Sequence, residues 1–269
     1  MPAVRAALLP HPPLLVPDLA GGAAVELDPL RSACWQALRS VLTASRAVVV
    51  LGDGPVWGLA RPGAFGSFAP YGADLRAAFP GGPLPLDLCG LPEPARLGEL
   101  PLSLAVAAWL LGSLDTVDPS PAAEFHLAGA TIPSALGPGA AVAVGRELAR
   151  AASRSGPVGV VAMGDLSARR SAEAPGAFHP AAAGFDATVA RAAAAGDLPA
   201  LAALDPGLAG ELMVAGRAVL QALAGAMDGA GELHGRVLYD DAPYGVGYVV
   251  AVLTAEPGSG RRAAPPPPR

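Results

Sequence analysis

Residues 4–17, V-R-A-A-L-L-P-H-P-P-L-L-V-P, set the architecture to expect of the whole chain. A short apolar run rises from the amino end, stops at Pro10 and presents His11, with Pro12 and Pro13 directly behind it. Proline holds φ near about −65° and restricts the residue before it, so Pro10 and Pro12 keep the backbone around His11 extended. The imidazole stands on a rigid shelf. With residues 4–9 as a central strand of an open α/β sheet, His11 lies just past the carboxyl end, where such sheets place their ligands. A histidine among prolines can also simply stiffen a turn, so the reading depends on what the rest of the chain brings to that edge.

The next segments continue an α/β pattern. Leu27, Leu30, Ala33, Cys34, Ala37, Leu38, Val41 and Leu42 recur at helical spacing, which predicts a helix over 26–45 and places Cys34 in the core rather than as a reactive thiol. Residues 46–51, R-A-V-V-V-L, read as a buried parallel strand, and a strand-helix-strand unit of this kind crosses over with a right hand. That strand ends in Gly52-Asp53-Gly54-Pro55, where Asp53 is either a ligand for a metal or hydroxyl or a turn residue. Residues 58–100 are rich in Gly and Pro and predict a long loop, a lid or substrate wall. Trp57, Phe65, Phe68 and Tyr71 belong to it, either facing a planar substrate or patching the loop onto the core.

Helices are expected at 100–114 and 140–153, and strands at 127–133 and 157–163. The last of these delivers Gly164-Asp165-Leu166-Ser167-Ala168-Arg169-Arg170. Helices then follow at 186–195, 198–204 and 208–226, with Asp197 and Asp205 placed to cap the second and third. Two final strands, 231–240 and 246–254, flank a Pro- and Gly-containing corner that holds Tyr244. The expectation is one three-layer α/β/α domain over residues 1–256 with a mostly parallel or mixed central sheet, then a disordered Pro-rich tail at 257–269.

Composition narrows the function classes. The chain has 269 residues, 52% of them hydrophobic, so 34 glycines and 30 prolines do not signal disorder. Its formal net charge is −5 and its 18 basic residues, all Arg, are scattered, which argues against nucleic acid as a partner. Cys34 and Cys89 are the two cysteines and lack C-x-x-C spacing, which fits a reducing cytoplasm and disfavours a cysteine-rich zinc site. Prolines interrupt the amino-terminal apolar run, and the uncharged run 100–114 is too short for a bilayer core of about 30 Å, so no export and no membrane span is expected. No G-x-S-x-G word occurs, which leaves hydrolase chemistry without support.

Three words carry a family resemblance by their order: P-H-P-P-L-L-V-P at residues 10–17, G-D-L-S-A-R-R at 164–170 and A-P-Y-G-V-G-Y at 242–248. Together they resemble the class III extradiol ring-cleavage dioxygenases, the family of the protocatechuate dioxygenase catalytic subunit, and the related Memo-like proteins, from about Val4 to Leu253. The resemblance implies Fe(II) held by two histidines and a carboxylate, with a further histidine moving protons, and cleavage of catechol-type rings. His11 keeps the place of the first ligand. The second-histidine position, at residues 53–55, holds none; the proton-handling position is Ala168; and the third-ligand position is Ala215 of A-G-R, with Glu211 one turn earlier.

His126 keeps the interval to Pro133 seen in Memo-like proteins, and Phe178-His179-Pro180 matches a G-x-H-P-like word. A relocated metal set can therefore be written from His11, Asp53, His126 and His179. Asp165 and Ser167 are the candidate catalytic polar groups, and Arg169, Arg170 and Tyr244 the candidate substrate contacts. Two functions stay open: a dioxygenase-like Fe(II) oxidoreductase with an altered site, or a non-catalytic descendant binding a small aromatic molecule or a partner protein. A homo-oligomer stays open as well.

Overall fold

The computed structural model describes residues 3–114 and 125–256. The tail expected at 257–269 and Glu124 lie outside the described residues. β1 (Arg5–Leu9) leads through the His11 shelf and a short helical turn, α1 (Pro17–Ala20), into α2 (Asp28–Ala44) and then β2 (Ala47–Gly54). Four strands follow, β3 (Gly58–Ser67), β4 (Arg76–Ala78), β5 (Gly82–Pro83) and β6 (Ala95–Glu99), and then α3 (Leu102–Gly112) and β7 (His126–Pro133). α4 (Pro138–Ala152), β8 (Val158–Met163), α5 (Ala182–Ala195), α6 (Leu198–Ala202), α7 (Pro206–Glu211) and α8 (Arg217–Met227) precede the antiparallel pair β9 (Leu233–Asp241) and β10 (Tyr248–Ala255).

The strands form one mixed sheet in the order β4-β3-β7-β2-β8-β1-β10-β9, with β5 pairing with β7 and β6 with β3. Its centre, β7-β2-β8-β1, is parallel. Because side chains alternate along a strand, each central strand feeds two cores at once. Ala6 and Leu8 of β1, Val49 and Leu51 of β2, and Val160 and Ala162 of β8 face α4, α5 and α8; Ala7, Leu9, Val48, Val50, Val161 and Met163 face α2 and α3. That double burial is why these strands read as unbroken apolar runs. β1 to β2 and β7 to β8 move along the sheet in opposite directions, so a common hand of crossover requires their helices on opposite faces. They are: α2 lies in one core and α4 in the other. On the second face α4 and α8 approach so closely that a methyl group at Gly145 would overlap the carbonyl oxygen of Ala222, and one at Gly225 that of Val142.

Two expectations change. Residues 58–100 are not a lid; they extend the sheet through β3 to β6. β4, β5 and β6 are short and edge-like, and Gly and Pro interrupt the longer β3, so no period-2 pattern marks them. The helix expected over 208–226 is two helices, α7 and α8, separated at residues 212–216, where Met213 takes a left-handed φ of 56°. Asp197 and Asp205 do cap α6 and α7, accepting the backbone N–H of Ala200 at 3.0 Å and of Leu208 at 2.7 Å.

Candidate functional site

Leu9 of β1 and Gly52 of β2 are both level with Met163 of β8, so the three strands end side by side and release Pro10-His11, Asp53 and Gly164-Asp165 at one edge. Gly164 N–H donates to the Leu9 carbonyl at 2.8 Å, and the His11 backbone N–H donates to Asp165 Oδ1 at 2.7 Å. The imidazole is thereby set between two carboxylates: Nε2 lies 3.2 Å from Asp53 Oδ1, and Nδ1 lies 3.8 Å from Asp165 Oδ1. The second separation is beyond a hydrogen bond, and Nδ1 is buried without a hydrogen-bond partner. Side-chain exposure rises from 6% at His11 to 18% at Asp165 and 32% at Asp53, so a ligand arriving from solvent meets Asp53 first.

Burial pushes the Asp165 carboxyl above its ordinary range, against the opposing pull of the His11 charge and its N–H. The same burial, with the Asp165 charge adding to it, pushes up the Cys34 thiol and the Tyr248 phenol beneath the site. Cys34 is wholly buried, an inert core residue as its place on the helix stripe predicts.

Two buried arginines hold the surroundings. Arg31 is buried on α2 and donates to the Leu15 carbonyl at 3.3 Å, to the Ala24 carbonyl and to Asp28 Oδ1, anchoring the turn that follows the shelf. Arg217 is buried at the start of α8 and donates to the carbonyls of Leu136 at 2.7 Å and Ser134, and to Gln221 Oε1 at 2.8 Å. The residues just before it back onto the site: Gly216 N–H donates to the Asp165 carbonyl at 2.9 Å, and Gly216 packs on Gly164 so tightly that neither can carry a side chain without displacing the other. A helix period in the sequence does not show the ties to Leu15, Ala24, Ser134 and Leu136, because those acceptors are backbone carbonyls outside the helix.

Among the described residues, none of the remaining metal-ligand candidates joins His11 and Asp53 in a group of three. His126 opens β7 beside Ala47, whereas Asp53 pairs with Ile132, six residues further along the same ladder. At about 3.3 Å per residue that is about 20 Å, at the opposite end of the sheet. The interval to Pro133 runs along a strand, which forces the two ends apart, so His126 does not join the set. His179 lies before α5, where Nδ1 accepts the Ala181 N–H at 3.2 Å and its own N–H donates to the Arg169 carbonyl at 3.0 Å. It works there as a turn residue.

Ser167 is fully buried and accepts the Arg169 N–H at 3.2 Å. Arg169 donates to the carbonyls of Glu211 at 2.9 Å and Ala177 at 3.4 Å, stitching two loops together. Arg170 pairs at 3.0 Å with Oδ2 of the buried Asp186, whose Oδ1 takes the Ser167 N–H at 3.0 Å. Both arginines are occupied within the protein rather than held out for an anion. Tyr244 donates its hydroxyl to Glu26 Oε2 at 3.0 Å. Of the aromatics, Phe68 is core, Phe65 lies under the Arg76 guanidinium at 4.9 Å, and Trp57 donates to the Pro92 carbonyl at 2.9 Å.

The donors can be tested against Fe(II). His11 Nε2 and Asp53 Oδ1, 3.2 Å apart, have the spacing of neighbouring ligands each about 2.1 Å from one ion. Asp165 faces the other ring nitrogen and cannot reach that ion. Among the described residues no group of three His, Cys, Asp or Glu side chains is placed to hold a metal. The set does not fit a three-donor Fe(II) site.

No family model matches the chain, and no curated protein matches it. Among solved structures it is similar to the crystal structure of the uncharacterized protein JW3007 from Escherichia coli K12, with a TM-score of 0.54 and 17% identity over 93% of this chain and 99% of that one. That likeness establishes the α/β fold. No described helix is long and apolar enough to cross a membrane.

Proposed function

We propose that the chain is a divergent relative of the class III extradiol ring-cleavage dioxygenases that binds a small phenolic or catechol-type aromatic molecule at its strand tips and does not cleave the ring with Fe(II). The observation that carries this reading is the imidazole fixed between Asp53 and Asp165 at the edge shared by β1, β8 and β2. His11 holds one Asp53 oxygen, which leaves the other for a ligand hydroxyl, and a hydroxyl donating to a carboxylate makes a charge-assisted bond. Asp165 acts on the shelf, through the His11 backbone. A binding role needs only this much.

One observation favours a second reading. The 3.2 Å separation of His11 Nε2 and Asp53 Oδ1 suits two ligands of one ion, so a catecholate could supply the donors that the described residues do not place there. Protocatechuate and Fe(II) separate the two. For the binding reading, protocatechuate alone raises the thermal midpoint of the full chain, and His11→Ala or Asp53→Ala abolishes the rise. Fe(II) supplied anaerobically, followed by air, then yields no new visible absorbance. Appearance of that absorbance with bound iron selects the second reading, and no response to protocatechuate under either condition sinks both.

A further inference from the structure

A cavity lies away from the strand tips, in a fork of the sheet. β3 pairs with β7 only at Gly58 and Leu59, opposite Thr131 and Ala130, while β5 meets β7 only at His126 and Leu127. Between these pairings Ala128 and Gly129 have no strand partner on that side, and a cavity of about 610 Å³ opens over them. That volume falls within the roughly 300–1,000 Å³ typical of small-molecule sites. Its wall is apolar, built from Leu59, Phe79, Leu84 and Leu86 with prolines between them, and its charged members are Arg61 and Arg96.

Arg61 and Arg96 stand on neighbouring strands, β3 and β6, and both line the cavity. Arg61 Nε donates to the Arg96 backbone carbonyl at 3.3 Å, across the parallel pairing of β3 with β6. No carboxylate pairs with Arg61 among the described residues, and Arg96 meets only Glu93, at 3.9 Å with both side chains exposed. An exposed pair of that kind contributes little and yields readily to a better partner. In a chain of formal net charge −5, one arginine without a paired carboxylate and another with only a long, exposed one, both lining an apolar cavity, select an anion with a hydrocarbon body.

We propose that this fork is a second ligand site, independent of the strand-tip reading, and that it takes a medium-chain aliphatic monocarboxylate: the chain lies over Ala128 and Gly129 and the carboxylate meets Arg61 and Arg96. Inorganic anions lack the apolar part that the wall would cover, and a neutral alcohol lacks the charge.

Calorimetric titration of the full chain with decanoate tests it. Stoichiometric binding is expected, weakened at least tenfold in the Arg61→Gln/Arg96→Gln double variant and kept within about threefold by Arg61→Lys, which preserves the charge. Both arginines are exposed, so the variants fold, as a wild-type melting profile will show. His11→Ala is expected to bind decanoate as the wild type does. Absence of binding, equal binding by the double variant, or loss of binding in His11→Ala would each overturn the assignment, the last because it would put the ligand at the strand tips.

Discussion

Asp165 holds the His11 shelf by accepting its backbone N–H, yet it does so as a carboxylate drawn out of water. Its folded-state pKa is raised by burial, so the folded chain binds its proton more tightly than the unfolded chain does, and stability falls as pH rises through the interval between the two values. Asp165→Asn keeps an oxygen for the N–H and removes the buried charge. It is expected to melt higher than the wild type at pH 7, with the difference shrinking as the pH is lowered into the acid range. Asp165→Ala instead strands the N–H and should cost about 1–3 kcal/mol in urea denaturation at pH 7. Arg170 offers a contrasting case: Arg170→Ala leaves the buried Asp186 carboxylate without its cation, so a loss of roughly 3 kcal/mol is expected in the same measurement. The sequence made His11, Asp53 and Asp165 legible as neighbours because each directly follows an apolar run that ends at one sheet edge. It did not reveal that Arg170 is committed to Asp186, since that partner is sixteen residues on, in a helix that only the tertiary fold brings back.

At the level of elements, the close meeting of α4 and α8 depends on Gly145 and Gly225, each lying against a carbonyl of the opposite helix. Gly145→Ala should therefore destabilise the protein by about 1–3 kcal/mol, because the two helices must separate along a packed seam. Ala itself is a better helix former, so an unchanged or raised thermal midpoint would mean that the helices are not so close. β2 and β8 were readable from β-branched runs buried on both faces, and the caps Asp197 and Asp205 from their position before apolar turns. The strands within 58–100 were not, because an edge strand such as β5, two residues long and made of Gly and Pro, carries no alternation to detect. The break between α7 and α8 was hidden as well: Met213 adopts a conformation costly for a side chain, and nothing local announces it.

For the molecule as a whole, two apolar layers share the same four central strands, whereas β4, β5 and β6 hang on the far edge beyond β7. Native-state hydrogen exchange should reflect this, with the slowest amides in β1, β2, β8 and β10 and the fastest strand amides in β4 to β6. Uniform protection across the sheet would contradict the layered account. The ordering of strands bears on synthesis too. β1, which carries His11 at its tip, pairs only with β8 and β10, which end at residues 163 and 255. Until β8 has been synthesised, the earliest strand has no strand neighbour among the described residues, and the histidine stays unplaced until Asp165 follows.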